Sequence, residues 1–149
     1  MIDGLIITPL KQIFDERGKV MHMMRKDTAP FKNFGEIYFS TANPGVVKAW
    51  HKHQKMTLNY TVLYGEIKFV LYDDRENSKT KGNFYEIYIS PENYLLVTVP
   101  PLIWNGFKCI GTSASIVANC ADIPHNSDEI IRKKPTDKSI PYDWEIKLR

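Results

Sequence analysis

Two histidines one residue apart, His51 and His53, stand in a run of β-favouring residues between the turn glycines Gly45 and Gly65. On a strand, that spacing points both imidazoles to one face. Imidazole titrates nearer neutrality than any other side chain and also ligates metals, so the pair suggests either acid–base chemistry or metal binding. Lys48 and Lys55 flank the pair and offer positive charge to an anion. Strict alternation places Lys48 and His51 on opposite faces, so one site can use both only if the strand bulges or the site lies at its end. Trp50 and Trp104 offer ring faces to a nucleobase or sugar as readily as bulk to a core, and Asn105 is the polar residue of its segment best suited to face a ligand. The plain alternative for His51 and His53 is a hydrogen-bonded place in the core with no chemical role.

Short strands must hold these residues. Leu5 to Thr8 reads as one strand, Asp15-Glu16-Arg17-Gly18 as a tight turn and Lys19 to Arg25 as a second strand, a hairpin-like opening. Phe34 to Thr41, Val46 to His53, Met56 to Leu63 and Ile67 to Tyr72 follow, with turn chemistry at Asn43-Pro44-Gly45 and Tyr64-Gly65-Glu66. The polar run from Asp73 to Asn83 reads as a solvated loop. Phe84 to Ile89, Tyr94 to Val99, Trp104 to Ile110 and Ser113 to Ala121 complete the strands, and Pro100-Pro101 interrupts the ladder because proline lacks a backbone donor. Ser127-Asp128-Glu129 reads as one helical turn. Beyond it, a basic, proline-containing stretch ends in an aromatic tail, Ile140 to Trp144, able to pack back onto the body. About ten short strands with frequent turns and no long helix predict a β-sandwich or barrel.

The 149 residues predict a single domain, 1–149, large enough to bury a core. A net charge of +3, from 20 basic and 17 acidic residues spread along the chain, is too small and scattered for a nucleic-acid surface but suits a small anionic ligand. No apolar run is long enough to predict a membrane span and no signal peptide is evident, which points to the cytoplasm. Cys109 and Cys120 are too few for a disulfide framework and predict two buried thiols.

The intervals from Gly45 through His51, His53 and Leu58 to Gly65 resemble the first signature of the cupin superfamily, with leucine where the cupins carry glutamate. Pro100, Leu102 and Asn105 resemble the second, with asparagine in place of its metal-binding histidine. Two histidines without the other two ligands make a weak transition-metal site, so no metal and no cofactor are expected. A narrower likeness covers most of the chain. Asp15-Glu16-Arg17-Gly18, Gly45-Val46-Val47-Lys48-Ala49-Trp50-His51, Gly65-Glu66 with Asp73-Asp74-Arg75, and Asn105-Gly106-Phe107 resemble, in order and spacing, elements of the dTDP-4-dehydrorhamnose 3,5-epimerase family.

That resemblance implies an all-β cupin jelly roll acting on a nucleotide-linked 4-keto-deoxysugar by metal-free proton transfer. It makes His51 the base that removes a proton beside the ketone and puts Lys48 on the substrate; Lys55, Trp104 and Asn105, by their own chemistry, are expected to join it there. It also implies a homodimer through the N-terminal strands, with Arg17 reaching a nucleotide sugar across the interface. The family's catalytic tyrosine falls near Ala118, so Tyr60 or Tyr142 must stand in for it, and its base-orienting aspartate falls near Lys134 to Asp137. The chain is also similar to sugar-nucleotide 3,4-ketoisomerases, which use a His-x-His pair. A cupin scaffold is equally open to sugar binding without catalysis, or to metal-dependent chemistry.

Overall fold

The computed structural model describes residues 1–145. In chain order the strands are β1 (Ile6–Pro9), β2 (Gln12–Asp15), β3 (Gly18–Met21), β4 (Glu36–Ala42), β5 (Val47–His53), β6 (Leu58–Tyr64), β7 (Ile67–Tyr72), β8 (Phe84–Ile89), β9 (Leu95–Val99), β10 (Trp104–Cys109), β11 (Ser115–Ala121) and β12 (Ile130–Arg132). They form two five-stranded sheets, β1-β9-β6-β11-β4 and β12-β5-β10-β7-β8, with β2 and β3 as a separate hairpin. No described residue is helical. The architecture is the cupin-type jelly roll read from the sequence.

Alternation sorts the side chains into two apolar clusters. Ile67, Phe69 and Leu71 of β7, all fully buried, join Leu58, Tyr60 and Val62 of β6, Val97 and Val99 of β9 and Phe107 of β10 in the core between the sheets. Each such side chain contributes about 1.5–3 kcal/mol on leaving water. Trp50, Val70 and Trp104 point to the other side of the second sheet, where Ile140 and Trp144 of the tail cover them. Lys68 Nζ lies 5.2 Å from the Tyr142 ring and Lys108 Nζ donates to the Trp144 carbonyl at 2.9 Å, so two nearly buried lysines pin the tail down.

Three expectations change. The opening hairpin joins β2 to β3, while β1 leaves to pair with β9 at the edge of the first sheet, where Ile7 packs against the core. Ser127 to Glu129 is a turn rather than a helical turn, closed by Glu129 N–H on the Asn126 carbonyl at 3.1 Å, and it leads into β12. The run from Asp73 to Asn83 is a loop, yet Asp73 is fully buried in it. Burial pushes its carboxyl up, but hydrogen bonds from Arg75, Ser78 and Thr80 outweigh that and hold it far below its ordinary range.

Candidate active site

A cavity of about 520 Å³ opens between the sheets, lined by residues of both. On the wall formed by the second sheet stand His51 and His53 of β5, Asn105 of β10 and Arg132 of β12; facing them are Tyr38 and Ser40 of β4 and Tyr60 of β6. The i, i+2 spacing does bring both imidazoles into one hollow. β5 is hydrogen-bonded on both edges, with Asn105 and Arg132 opposite His51 and Ile130 opposite His53.

The conflict over Lys48 is resolved by a bulge. Asn105 pairs with His51 but Phe107 pairs with Lys48, so two steps along β10 match three along β5. The extra residue on β5 returns Lys48 to the cavity side. Lys48 Nζ then donates to Ser40 Oγ at 2.9 Å, joining the two walls. Gly106 makes this crossing possible, because a Cβ there would lie 2.4 Å from the Ala49 Cβ. At the far end of β5 the His53 carbonyl accepts the Leu102 N–H at 2.7 Å. Leu102 has φ +67°, a left-handed conformation that glycine adopts far more readily than leucine.

The two histidines live in different surroundings. His53 is 5% exposed, and its Nδ1 lies 2.7 Å from Glu129 Oε2. The other Glu129 oxygen accepts the backbone N–H groups of Lys55 and Met56 at 2.7 and 2.8 Å. Burial raises the Glu129 carboxyl, but these donors more than offset it, so Glu129 stays ionised well into acid. A carboxylate at Nδ1 fixes the tautomer that carries hydrogen there and leaves Nε2 as the working nitrogen. Among the described residues, His51 is paired with no carboxylate in this way. Burial first, then the charges of Arg132, His53 and Lys48, lower it to about 4, so its ring is neutral at pH 7 and ready to accept a proton.

Asn105 is 2% exposed, and its amide N–H groups donate to the carbonyls of His51 and Ile103 at 3.2 and 3.3 Å, leaving Oδ1 as its remaining polar atom. Tyr60 lines the cavity as expected. Trp104 does not: it faces the tail side, with its indole N–H on Asp74 at 2.7 Å, because alternation from Asn105 turns it outward. Lys55 also lies outside the lining, just past the end of β5, where its backbone rather than its ammonium serves the site. Arg17 lies on the β2–β3 turn, 85% exposed and paired with Asp15, and does not line this chain's cavity. Tyr142, the other stand-in for the family tyrosine, packs with Trp144 and hydrogen-bonds Glu86 on the outer face.

Glu129, Arg132 and Tyr38 complete the site and were not singled out from the sequence. His125 is exposed and also lines the cavity. Among the described residues, no three or more His, Cys, Asp or Glu side chains converge to hold a metal ion. Leu58, at the glutamate position of the cupin signature, is 1% exposed in the core.

A jelly roll whose hollow sets a neutral imidazole beside a carboxylate-backed one, opposite two phenols, defines a cupin-type protein equipped for proton transfer. The family model for dTDP-4-dehydrorhamnose 3,5-epimerase matches residues 1–149, and the chain belongs to that family of nucleotide-sugar epimerases and isomerases. A solved dTDP sugar isomerase from Desulfovibrio desulfuricans G20 is 43% identical, with a TM-score of 0.94 over 96% of this chain and 92% of that one. The spore coat polysaccharide biosynthesis protein SpsL of Bacillus subtilis (strain 168) is 32% identical over 97% of this chain and 93% of its own length. The probable low-salt glycan biosynthesis epimerase Agl13 of Haloferax volcanii is 33% identical over 87% of this chain and 81% of its own length.

Proposed function

We propose that the protein binds a dTDP-4-keto-6-deoxysugar in the cavity and inverts a carbon beside the ketone, within deoxysugar or surface-polysaccharide biosynthesis. The observation that carries this reading is the placement of His51 with Lys48 and Arg132 around one hollow, where burial and their charges favour the neutral ring. His51 takes the proton from the carbon next to the carbonyl, and the C–H electron pair moves into the ketone as an enolate. Lys48 and Arg132 offer positive charge to the diphosphate and to the developing enolate oxygen. His53, fixed by Glu129, holds the neighbouring part of the sugar and can exchange a proton with it.

The closeness of the two histidines also suits a 3,4-ketoisomerase, in which one imidazole removes a proton at C3 and the other delivers it at C4. Product analysis separates the two: an epimerase keeps the carbonyl at C4, whereas the isomerase moves it to C3. Residues 1–149 of the protein act as one domain in the cytoplasm, a setting that suits the two free, buried cysteines. It acts as a homodimer through its N-terminal strands. The exposed Ile13, Phe14 and Val20 of the β2–β3 hairpin and the exposed Ile37 and Phe39 of edge strand β4 favour that arrangement. Arg17 then serves the partner's cavity rather than its own.

The test is solvent deuterium uptake into dTDP-4-keto-6-deoxyglucose. The wild-type protein should label the carbon beside the ketone, and His51→Ala should abolish labelling. A wild-type protein that binds the sugar without labelling it would be a noncatalytic binder, and labelling that persists in His51→Ala would remove His51 as the base.

A further inference from the structure

Inversion at a carbon requires that the proton return on the face opposite the one it left, whereas His51 and His53 share one strand face and therefore one wall. The second proton donor must come from the wall formed by the first sheet, whose hydroxyls at the cavity are Ser40, Tyr38 and Tyr60. Ser40 accepts Lys48 and is an aliphatic alcohol, a far weaker acid than a phenol.

The two phenols are not equivalent, and a buried ladder of amides explains why. Asn119, fully buried on β11, stands in register with both Tyr38 on β4 and Tyr60 on β6. Its Oδ1 accepts the Asn59 backbone N–H at 3.0 Å, which turns its amino group towards the Tyr38 oxygen, 2.9 Å away. Asn59 is held in turn by Thr98 Oγ1, which donates to Asn59 Oδ1 at 2.7 Å, and by its own donation to the Cys120 carbonyl at 3.0 Å. The Tyr38 oxygen therefore accepts from Asn119, and its own hydrogen must point elsewhere. Tyr60 is 8% exposed and shares the cavity wall with Tyr38; burial above all, and then Tyr38 beside it, favour its protonated form, so Tyr60 has a hydrogen to offer the Tyr38 oxygen. Tyr38 itself is 38% exposed at the cavity.

The geometry points to Tyr38 as the acid of the reaction, its phenolate held by hydrogen bonds from Asn119 and Tyr60 acting as positioning residues. The inference rests on the epimerase reading above. After His51 has taken the proton, the Tyr38 O–H gives its hydrogen to the carbon from the opposite face. The enolate electrons form the new C–H bond, the C=O is restored, and the charge passes to the Tyr38 oxygen. Two donors aimed at that oxygen lower the cost of leaving it negative. Proton exchange with solvent returns the Tyr38 phenolate and the His51 imidazolium to their starting forms.

The experiment compares wild-type protein, Tyr38→Phe and Tyr60→Phe on dTDP-4-keto-6-deoxyglucose in deuterated water, following label and configuration by NMR. Tyr38→Phe should keep wash-in of label with retained configuration within about tenfold and lose inverted product by about 100-fold or more. Tyr60→Phe removes one donor to the Tyr38 oxygen but leaves the acid in place. It should retain inversion, with the basic limb of its pH profile moved to higher pH, a change that mere loosening of the fold would not give. Inversion by Tyr38→Phe within threefold of wild type would remove Tyr38 as the acid while leaving the epimerase reading intact. An unmoved basic limb in Tyr60→Phe would also count against the assignment. A wild-type protein that washes in no label would instead take down the epimerase reading and this inference with it.

Discussion

Glu129 divides the work between two histidines that the sequence alone presents as equals. It accepts from His53 and from two backbone N–H groups, so replacing its charged oxygen frees the imidazole to rotate and change tautomer. Glu129→Gln should lower kcat by about 100-fold with a smaller change in KM, and lower folding stability by about 1–3 kcal/mol, read by steady-state kinetics and urea denaturation. His51 carries a different signature. Burial and the neighbouring cations hold it at about 4 against an ordinary 6.5. As pH falls through 6.5 the unfolded chain takes up a proton that the folded chain refuses until about 4, so stability declines across that window and is unaffected by this ring above it. The difference amounts to as much as roughly 3 kcal/mol. His51→Asn should therefore flatten the urea-midpoint profile between pH 6.5 and 4 and leave the profile above pH 7 in place. The histidine pair was legible because alternation alone sends both rings one way. Glu129 was not: it lies 76 residues from His53 in a stretch with the chemistry of a turn, and only the pairing of β12 with β5 brings them together.

Strands rich in apolar and aromatic residues and bounded by turn or loop signals were read to the residue, as with β7 and β8. β12 was invisible for the opposite reason. Ile-Ile-Arg is too short to show a period, and it is a strand because β5 offers it an open edge. The bulge in β5 was legible only as a requirement, the condition for Lys48 and His51 to share a site; its position is fixed by the close crossing of Gly106 over Ala49. A methyl group on Gly106 would fall 2.4 Å from the Ala49 Cβ and 3.0 Å from the Lys48 carbonyl oxygen, both on the strand that carries the histidines. Gly106→Ala should cost about 1–3 kcal/mol of stability, the usual penalty of overpacking, and should depress activity further by shifting β5. Urea denaturation alongside the exchange assay tests both.

At the scale of the whole molecule, a β-sandwich or barrel was readable from turn spacing, the jelly roll from the likeness to the cupin motifs and the covering tail from its aromatic residues, whereas the faces left uncovered were not legible. The hairpin apolar residues and those of β4 come together only in the fold, where they lie exposed. If they meet in a dimer, Phe14→Asp should yield a monomer by sedimentation. It should also weaken substrate affinity through loss of Arg17, while leaving the far-UV spectrum unchanged. The crowding of Lys48 and Arg132 around His51 has a further result once a doubly negative guest arrives. The guest cancels the very charges that keep the ring from holding a proton, so the imidazole becomes a keener base at the moment there is a C–H bond for it to attack. A sugar lacking its diphosphate would thus lose more than grip: it would meet a ring still blunted by its own neighbours.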